Sequence, residues 1–506
     1  MNNAETQKSH IGDEKKWLRQ LIRCILPNII RHPLADRVYQ FVSYGHKKIT
    51  ALVRYYEFLC SQKHQLTWWE HWSCQILRIA IYILEKRFLK EYQNFSEALD
   101  VNPSTMFTKG HGLLCVISTL GPGGAERQAV LTLTQLQQRN LFQISLCVFF
   151  LDSQSQRFYL DKVEEAQISI QEFDRDSKYQ SLDIEKAYRV AQCLPQALRS
   201  DVMACIRSIG IRRPEVVHIW LDETNIKSGL AAVALGIPKI ILSTRNLPPF
   251  HFGFYQLYMR EGYRWLLQQP GVTILNNSLA GARAYEKWLK LPKGSIRVIH
   301  NGFHFDDAVI QAHRDNRSRY RNQNHIPVHA LVVGTMIRLS DEKRPLLWLE
   351  TVALVRKEIP EVQFLMVGDG PLRLQVEKRI VELQLETSLH LVRCEKEALT
   401  AIAAMDVFLL TSRVEGLPNV LIEAQAVGIP VITTNAGGAR ETFAHGITGW
   451  VVDSHDASVI AKRVIQTVKN KNWCQKASPK GLQFVKEHFS VQHMVKETLE
   501  IYNLKP

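Results

Sequence analysis

The stretch Asp406-Val-Phe-Leu-Leu-Thr-Ser-Arg-Val-Glu415-Gly-Leu-Pro418-Asn-Val-Leu-Ile-Glu423-Ala-Gln-Ala-Val-Gly428-Ile-Pro-Val-Ile-Thr-Thr434, continuing to Val452, decides how the rest of the chain is read. DVFLLTS and PVITT are short apolar runs rich in residues that suit a strand. Between them PNVLIEAQAVG has helical spacing, with Pro418 at its expected start and Gly428 at its expected end. Strand, loop, helix and strand in this order make a parallel β-α-β unit.

The helix start should direct the backbone N–H groups of Asn419, Val420 and Leu421 at the crevice above the sheet, where they favour a phosphate. Glu423 lies more than a turn into the helix, where a carboxylate can accept from ribose hydroxyls. Glu415 precedes the helix; beside a diphosphate its charge would be repelled unless it served the sugar. Two glutamates eight positions apart could equally decorate a solvated helix end.

The combination E-G-x-P-N-x-x-x-E-A, G-x-P-V-x-x-T and G-G-x-x-E resembles the donor-binding half of the family 4 retaining glycosyltransferases of GT-B fold. It extends at lower density from Gly112 to Val452. The resemblance implies an α/β fold of two facing Rossmann-like domains with parallel sheets, here preceded by a helical N-terminal region. Expected spans are 1–106 for the helical region, 107–301 for the acceptor-side domain and 302–480 for the donor-binding domain. A C-terminal helix in 481–506 should brace the first domain.

The chain of 506 residues has room for about three domains. It is 46% hydrophobic and 22% charged, with a net charge of +14 that suits an anionic partner. Nine cysteines without a C-x-x-C pair speak against a disulfide framework and for a reducing, cytoplasmic setting. No apolar leader or stretch of about 18 apolar residues is present. Over residues 1–100, fifteen Lys and Arg face ten acids, with Trp68, Trp69 and Trp72 clustered. That pattern fits a small helical domain, and also peripheral contact with the cytoplasmic face of an anionic inner membrane. No nucleic-acid module is legible.

GLLCVISTL followed by GPGGAERQAV reads as strand, glycine turn and helix. Gly123 and Gly124 would let the backbone approach a diphosphate, with Glu126 opening the helix. In the second half a strand ends at Gly334, and Arg338 and Lys343 follow in a loop. Two cations there can stabilise a departing diphosphate without a metal, and the spacing matches the family's G-x-x-x-R-x-x-x-x-K. Gly368 opens a G-D-G-P turn, and Arg393 with Cys394 stands where the family commonly has Gly near the nucleotide base.

Acceptor-side candidates follow two strands of the first half: Asp222, Glu223 and Asn225 after VVHIWL, Arg245 and Asn246 after KIILSTR. Family members often carry a His in the first of these loops. Here that place is held by Glu223, and His218 falls inside the strand as a core residue. Asp174 and Asp176 form a D-x-D pair, with chance placement favoured over a metal site. HNGFHFDD (His300–Asp307) resembles the hinge between the halves, and the Arg-rich run after it reads as a solvated face.

The resemblance thus implies a retaining transferase. Glu415, Arg338 and Lys343 would be catalytic; Gly123, Gly124, Gly368, Arg393, Gly416, Leu417, Asn419, Val420, Leu421 and Glu423 would bind the donor. Glu126, Glu223, Asn225 and Arg245 would face the acceptor. No cofactor is expected, the donor is a nucleotide sugar with UDP the first expectation, and the acceptor is a glycan or lipid-linked glycan. WLDETN and LSTRNLPP are similar to bacterial capsule and exopolysaccharide transferases, including those of Vi-antigen type. A nucleotide-sugar epimerase or phosphorylase of the same fold, or a non-catalytic assembly subunit of a polysaccharide machine, remain alternatives.

Overall fold

The computed structural model describes residues 85–99, 112–173, 182–393 and 398–503. The chain divides into two compact units. The first comprises Met1–Asp100, Tyr188–Ser200 and Pro249–Trp265, so it takes two segments from the span expected to form the acceptor-side domain. Within it a helix runs over 85–98, where Tyr92 and Phe95 pack on Trp265 and Glu85 pairs with Arg260 at 2.8 Å. The clustered tryptophans at 68, 69 and 72, the acidic pair at 174 and 176, and Cys394 lie outside the described residues.

The second unit holds two parallel sheets. In the first, β1 (Leu113–Ile117), β2 (Ile144–Val148), β3 (Ser169–Glu172), β4 (Val216–Trp220), β5 (Lys239–Thr244), β6 (Val272–Asn276) and β7 (Arg297–Val298) lie in the order 3-2-1-4-5-6-7. In the second, β8 (Val332–Met336), β9 (Gln363–Val367), β10 (Leu389–Val392), β11 (Val407–Leu410), β12 (Val431–Thr434) and β13 (Gly449–Val452) lie in the order 10-9-8-11-12-13. β1, β4 and β11 are buried along their whole length, as strands covered on both faces must be. Each order reverses once, between β1 and β4 and between β8 and β11. A crevice opens at such a switch point, at the carboxyl ends of the strands.

Five helices place the relevant loops: α1 (Gly124–Gln138) after β1, α2 (Asp222–Ala234) after β4, α3 (Leu279–Leu289) after β6, α4 (Pro345–Glu358) after β8 and α5 (Asn419–Ala426) after β11. Two more, α6 (Lys471–His488) and α7 (Val491–Tyr502), end the described chain. The expected boundary at 480 falls inside α6. The helix that joins the first sheet's core begins later, with Ser490 capping it and Val491, Met494, Val495, Ile501 and Tyr502 packed beside β1 and β2. Phe303, Leu417, Ile422, Ala426, Val485 and Phe489 form a separate cluster where α5, α6 and the chain after β7 meet.

Two sequence expectations are corrected here. Asp222, Glu223 and Asn225 are not in a loop: α2 begins at Asp222, directly after Leu221 with φ 75° and ψ 152° breaks the strand. Acids in a first turn are favoured by the helix dipole, which suits Asp222 and Glu223 there. Nor is the Arg-rich run wholly a solvated linker face, although most of its side chains are exposed or half-buried. It forms helices Asp307–Asp315 and Arg317–Gln323, and Arg321 is only 1% exposed.

Candidate active site

The loop from Ile337 to Arg344 follows β8 and lies beside the end of β11. Arg344 fixes it there, donating Nε–H to the Thr411 carbonyl at 2.7 Å and a terminal N–H to Ser412 at 2.9 Å. Burial, and next the nearby Arg413, push its pKa down to about 10. Thr411 Oγ1 donates back to the Lys343 carbonyl at 3.3 Å. Held in this way, Lys343 Nζ meets Glu415 Oε1 at 2.6 Å. Glu415 is buried, and among the described residues its other oxygen has no hydrogen-bond partner. Arg338 is exposed and makes no ion pair among the described residues.

The turn after β9 supports the same loop. Gly368 has φ 152°, and a Cβ there would lie 1.9 Å from the Ile337 carbonyl oxygen, so only glycine lets the strands' ends approach this closely. Arg393, exposed, pairs with Asp369 at 3.5 Å in the same turn.

Gly123 caps α1 and the glycine turn meets the start of α5. A Cβ on Gly124 would lie 3.2 Å from Asn419 Nδ2. Of the three amides expected to face a phosphate, that of Leu421 donates to the Pro418 carbonyl at 3.2 Å, which leaves Asn419 and Val420 for the role. The side chain of Leu417 is not a crevice residue: it is buried in the apolar cluster with Phe303 and Ile422, as its chemistry favours. Gly416 abuts the other sheet, and a Cβ on it would lie 2.3 Å from the Arg245 carbonyl oxygen.

Glu423 is buried and accepts from Arg127, one turn into α1. Burial alone would lower the proton affinity of Arg127, but the carboxylate outweighs it and the net shift is upward. The ribose-binding candidate is therefore already engaged by a cation from the opposite sheet. Glu126 hydrogen-bonds Thr119 at 3.4 Å, and burial raises its carboxyl pKa.

On the acceptor side the candidates scatter. Glu223 is half exposed and pairs with Lys227 one turn on in α2. Asn225 is buried and donates to the Ser243 carbonyl at 3.2 Å, a packing role inside the sheet. Asp222 accepts from Tyr285 Oη. His218 is buried in β4 with Nδ1 2.6 Å from Tyr502 Oη; burial, and next Arg245, lower its pKa to about 3, so the ring is neutral. Arg245 donates to Asn301 Oδ1, and Asn301 Nδ2 donates at 2.5 Å to Asn419 Oδ1 at the head of α5.

Sequence reading missed three residues that link the sheets. Arg127 stands directly after the G-G-A-E turn, and that adjacency was the available signal. Asn301, in the hinge motif, joins Arg245 to Asn419. Glu441, the acid of G-G-x-x-E, accepts from the Leu279 and Ala280 amides at 2.7 and 2.8 Å and caps α3. Its position was legible; its partner, far away in sequence, was not. Among the described residues no three His, Cys, Asp or Glu side chains are grouped to hold a metal ion, and no helix is long and apolar enough to cross a membrane.

The family of glycosyl transferases group 1 matches residues 316–484, the span that carries Arg338, Lys343, Glu415 and Glu423. The Vi polysaccharide biosynthesis protein VipC/TviE of Salmonella typhi is 28% identical over 415 residues, covering 76% of this chain and 70% of that protein. A Campylobacter jejuni α-1,4-N-acetyl-D-galactosaminyltransferase, named for its diNAcBac-PP-undecaprenol-linked acceptor, is 25% identical over 389 residues, 76% of this chain and 96% of that one. Among solved structures, Anabaena Alr3699/HepE in complex with UDP and glucose superposes with a TM-score of 0.62 at 19% identity, covering 78% of this chain and all of that one. The group 1 domain and the two switch-point sheets together make this chain a glycosyltransferase of GT-B architecture.

Proposed function

We propose that this enzyme transfers a sugar, with retention at the anomeric carbon and without a metal, from a nucleotide-diphosphate sugar to a glycan or lipid-linked glycan in surface-polysaccharide synthesis. UDP is the first nucleotide to try, in line with the UDP bound to the Anabaena neighbour. The relatives named for Vi polysaccharide and for a lipid-linked acceptor support the product class. A place at the cytoplasmic face of the membrane goes with this reading, and the net charge of +14 suits that surface.

The observation that carries the proposal is the Lys343–Glu415 pair at the β8/β11 switch point, with Arg338, which makes no ion pair among the described residues, in the same loop. The pyrophosphate would lie against Arg338, Lys343, the glycine turn at 123 and the Asn419 and Val420 amides at the head of α5. These fixed charges and dipoles stabilise the leaving group as the C1–O bond lengthens, and they are set before the reaction begins. Glu415 would face the sugar ring or the positive charge that develops at the anomeric carbon. The acceptor hydroxyl attacks from the face the leaving group vacates. Its oxygen bonds to C1, the departing phosphate oxygen keeps the electron pair of the broken bond, and that oxygen takes the hydroxyl proton. Glu423 would hold the ribose after exchanging its contact with Arg127.

The test is a panel of UDP-, GDP- and ADP-sugars read by thermal shift, since a ligand that binds only the folded chain raises its melting point. Donors that stabilise are then incubated alone and with glycan acceptors, with and without EDTA. Stereochemically retained transfer that survives EDTA is the expected result. An epimerised sugar nucleotide without acceptor would replace the proposal with epimerase activity, and nucleotide binding without any turnover would replace it with an assembly subunit.

A further inference from the structure

Arg245 leaves β5 at its carboxyl end with a positive charge that no acid among the described residues answers. Its guanidinium carbon lies 4.6 Å from the centre of the Trp220 ring, and its terminal nitrogens reach Asn301 Oδ1 and, at 3.5 Å, Ser243 Oγ. Its Nε is buried and has no hydrogen-bond partner among the described residues. Among the described residues no carboxylate pairs with it, and burial pushes its pKa down to about 9. The neighbouring ring of His218 is neutral and supplies no counter-charge.

Other cations of the two sheets are answered from within the chain: Arg321, Arg127 and Lys343 by Asp406, Glu423 and Glu415, and Arg344 by the carbonyls of Thr411 and Ser412. Removing a guanidinium from water without a carboxylate is costly, so the arrangement calls for an anion from outside the chain. Position agrees with charge. Arg245 follows a strand at the carboxyl edge of the sheet, where ligands on such sheets bind. Its carbonyl is pressed against Gly416, the residue after Glu415, and its guanidinium is joined through Asn301 to Asn419 at the head of α5.

We propose that Arg245 recognises a carboxylate on a sugar substrate, making this enzyme a handler of uronic-acid-type sugars. One guanidinium flanked by the Asn301 carboxamide, with no second cation paired into it, suits a singly charged carboxylate better than a phosphate dianion. The planar fork of Arg also matches a carboxylate in two parallel bonds. The diphosphate has its own cations in Arg338 and Lys343. This inference rests on the transfer reading and narrows it: the carboxylate belongs to the donor sugar or to the acceptor residue beside it.

The experiment compares matched pairs: a nucleotide uronate against its neutral hexose counterpart with one acceptor, then a uronate-ended against a neutral-ended acceptor with one donor. The wild type should prefer the acidic member of one pair by about 10-fold or more in kcat/KM, the arm that shows it naming the source. In Arg245→Met the preference should fall toward one, and Arg245→Lys should keep part of it. Where Arg245→Met has no turnover, the ratio of ligand affinities from melting shifts is read the same way. Wild type without preference, or a preference that survives Arg245→Met, overturns the inference while leaving transfer intact. Absence of binding and turnover with every sugar nucleotide overturns the transfer reading and this inference together.

Discussion

The two ends of β11 carry the same kind of group and use it differently. At the entry end, Asp406 accepts from Arg317 at 2.7 Å, from Arg321 at 2.9 Å and from the Val332 amide at 2.8 Å. Arg321 spends its remaining N–H groups on the carbonyls of Ala404, Val328 and Ala330. Every strong donor there has a fixed acceptor, and the cluster ties a helix to the strand edge. At the exit end, Lys343 makes one bond to Glu415, one carboxylate oxygen is unused, and Arg338 is unpaired among the described residues. Saturated charge is a structural joint. Charge with bonding capacity left over, at the carboxyl edge of a parallel sheet, is available to a ligand.

The largest effect that can break this comparison is at the entry end. Arg321→Met should destabilise the protein by about 3–5 kcal/mol, because Asp406 and three carbonyls lose a buried donor. Chemical denaturation measures it, and a loss under about 1 kcal/mol would mean the joint is ornamental. At the exit end, Glu415→Gln should lower kcat by about 10²–10³-fold with the melting point nearly unchanged. If melting point and activity fell together, the two ends would not differ in kind.

A pH titration sharpens the picture in the first sheet. His218 is neutral in the fold, its pKa lowered from 6.5 to about 3. Between those values the unfolded chain binds a proton that the native chain refuses, so stability falls as pH drops from 6.5 toward 3. His218→Leu should flatten that slope in urea melts recorded across the range, and an unchanged slope would place the acid sensitivity elsewhere. The smallest effect is at the link between sheets. A double-mutant cycle on Arg127 and Glu423 should give a coupling of about 0.5–1 kcal/mol, modest because the Arg127 side chain is 39% exposed. Donor at saturating concentration should reduce that coupling, since ribose would compete for the same carboxylate.

Much of the second sheet was legible residue by residue. Pro418 and Gly428 mark the ends of α5 because proline suits the start of a helix and glycine takes the positive φ at its close, here 81°. Arg338, Lys343 and Glu415 lie in the loops where the strand-to-loop pattern puts them, although β8 runs on past Gly334, its expected end, to Met336. The first sheet was read less well. α2 starts at Asp222 because Leu221 turns the chain with a positive φ that no leucine advertises in sequence. Arg321 looked like a surface charge because nothing in a local window names Asp406, 85 positions on, as its partner. Leu417 carried a motif position but obeyed its own apolar chemistry.

The sequence by itself determined the alternation of strand and helix, the two switch-point loops and the residue types gathered in them, because those depend on local periodicity and on what glycine and proline do to the backbone. Only the tertiary structure decided which charges are answered. Ion pairs such as Arg127–Glu423, and the absence among the described residues of an acid beside Arg245, depend on where two distant segments come to rest, and no spacing along the chain encodes that distance.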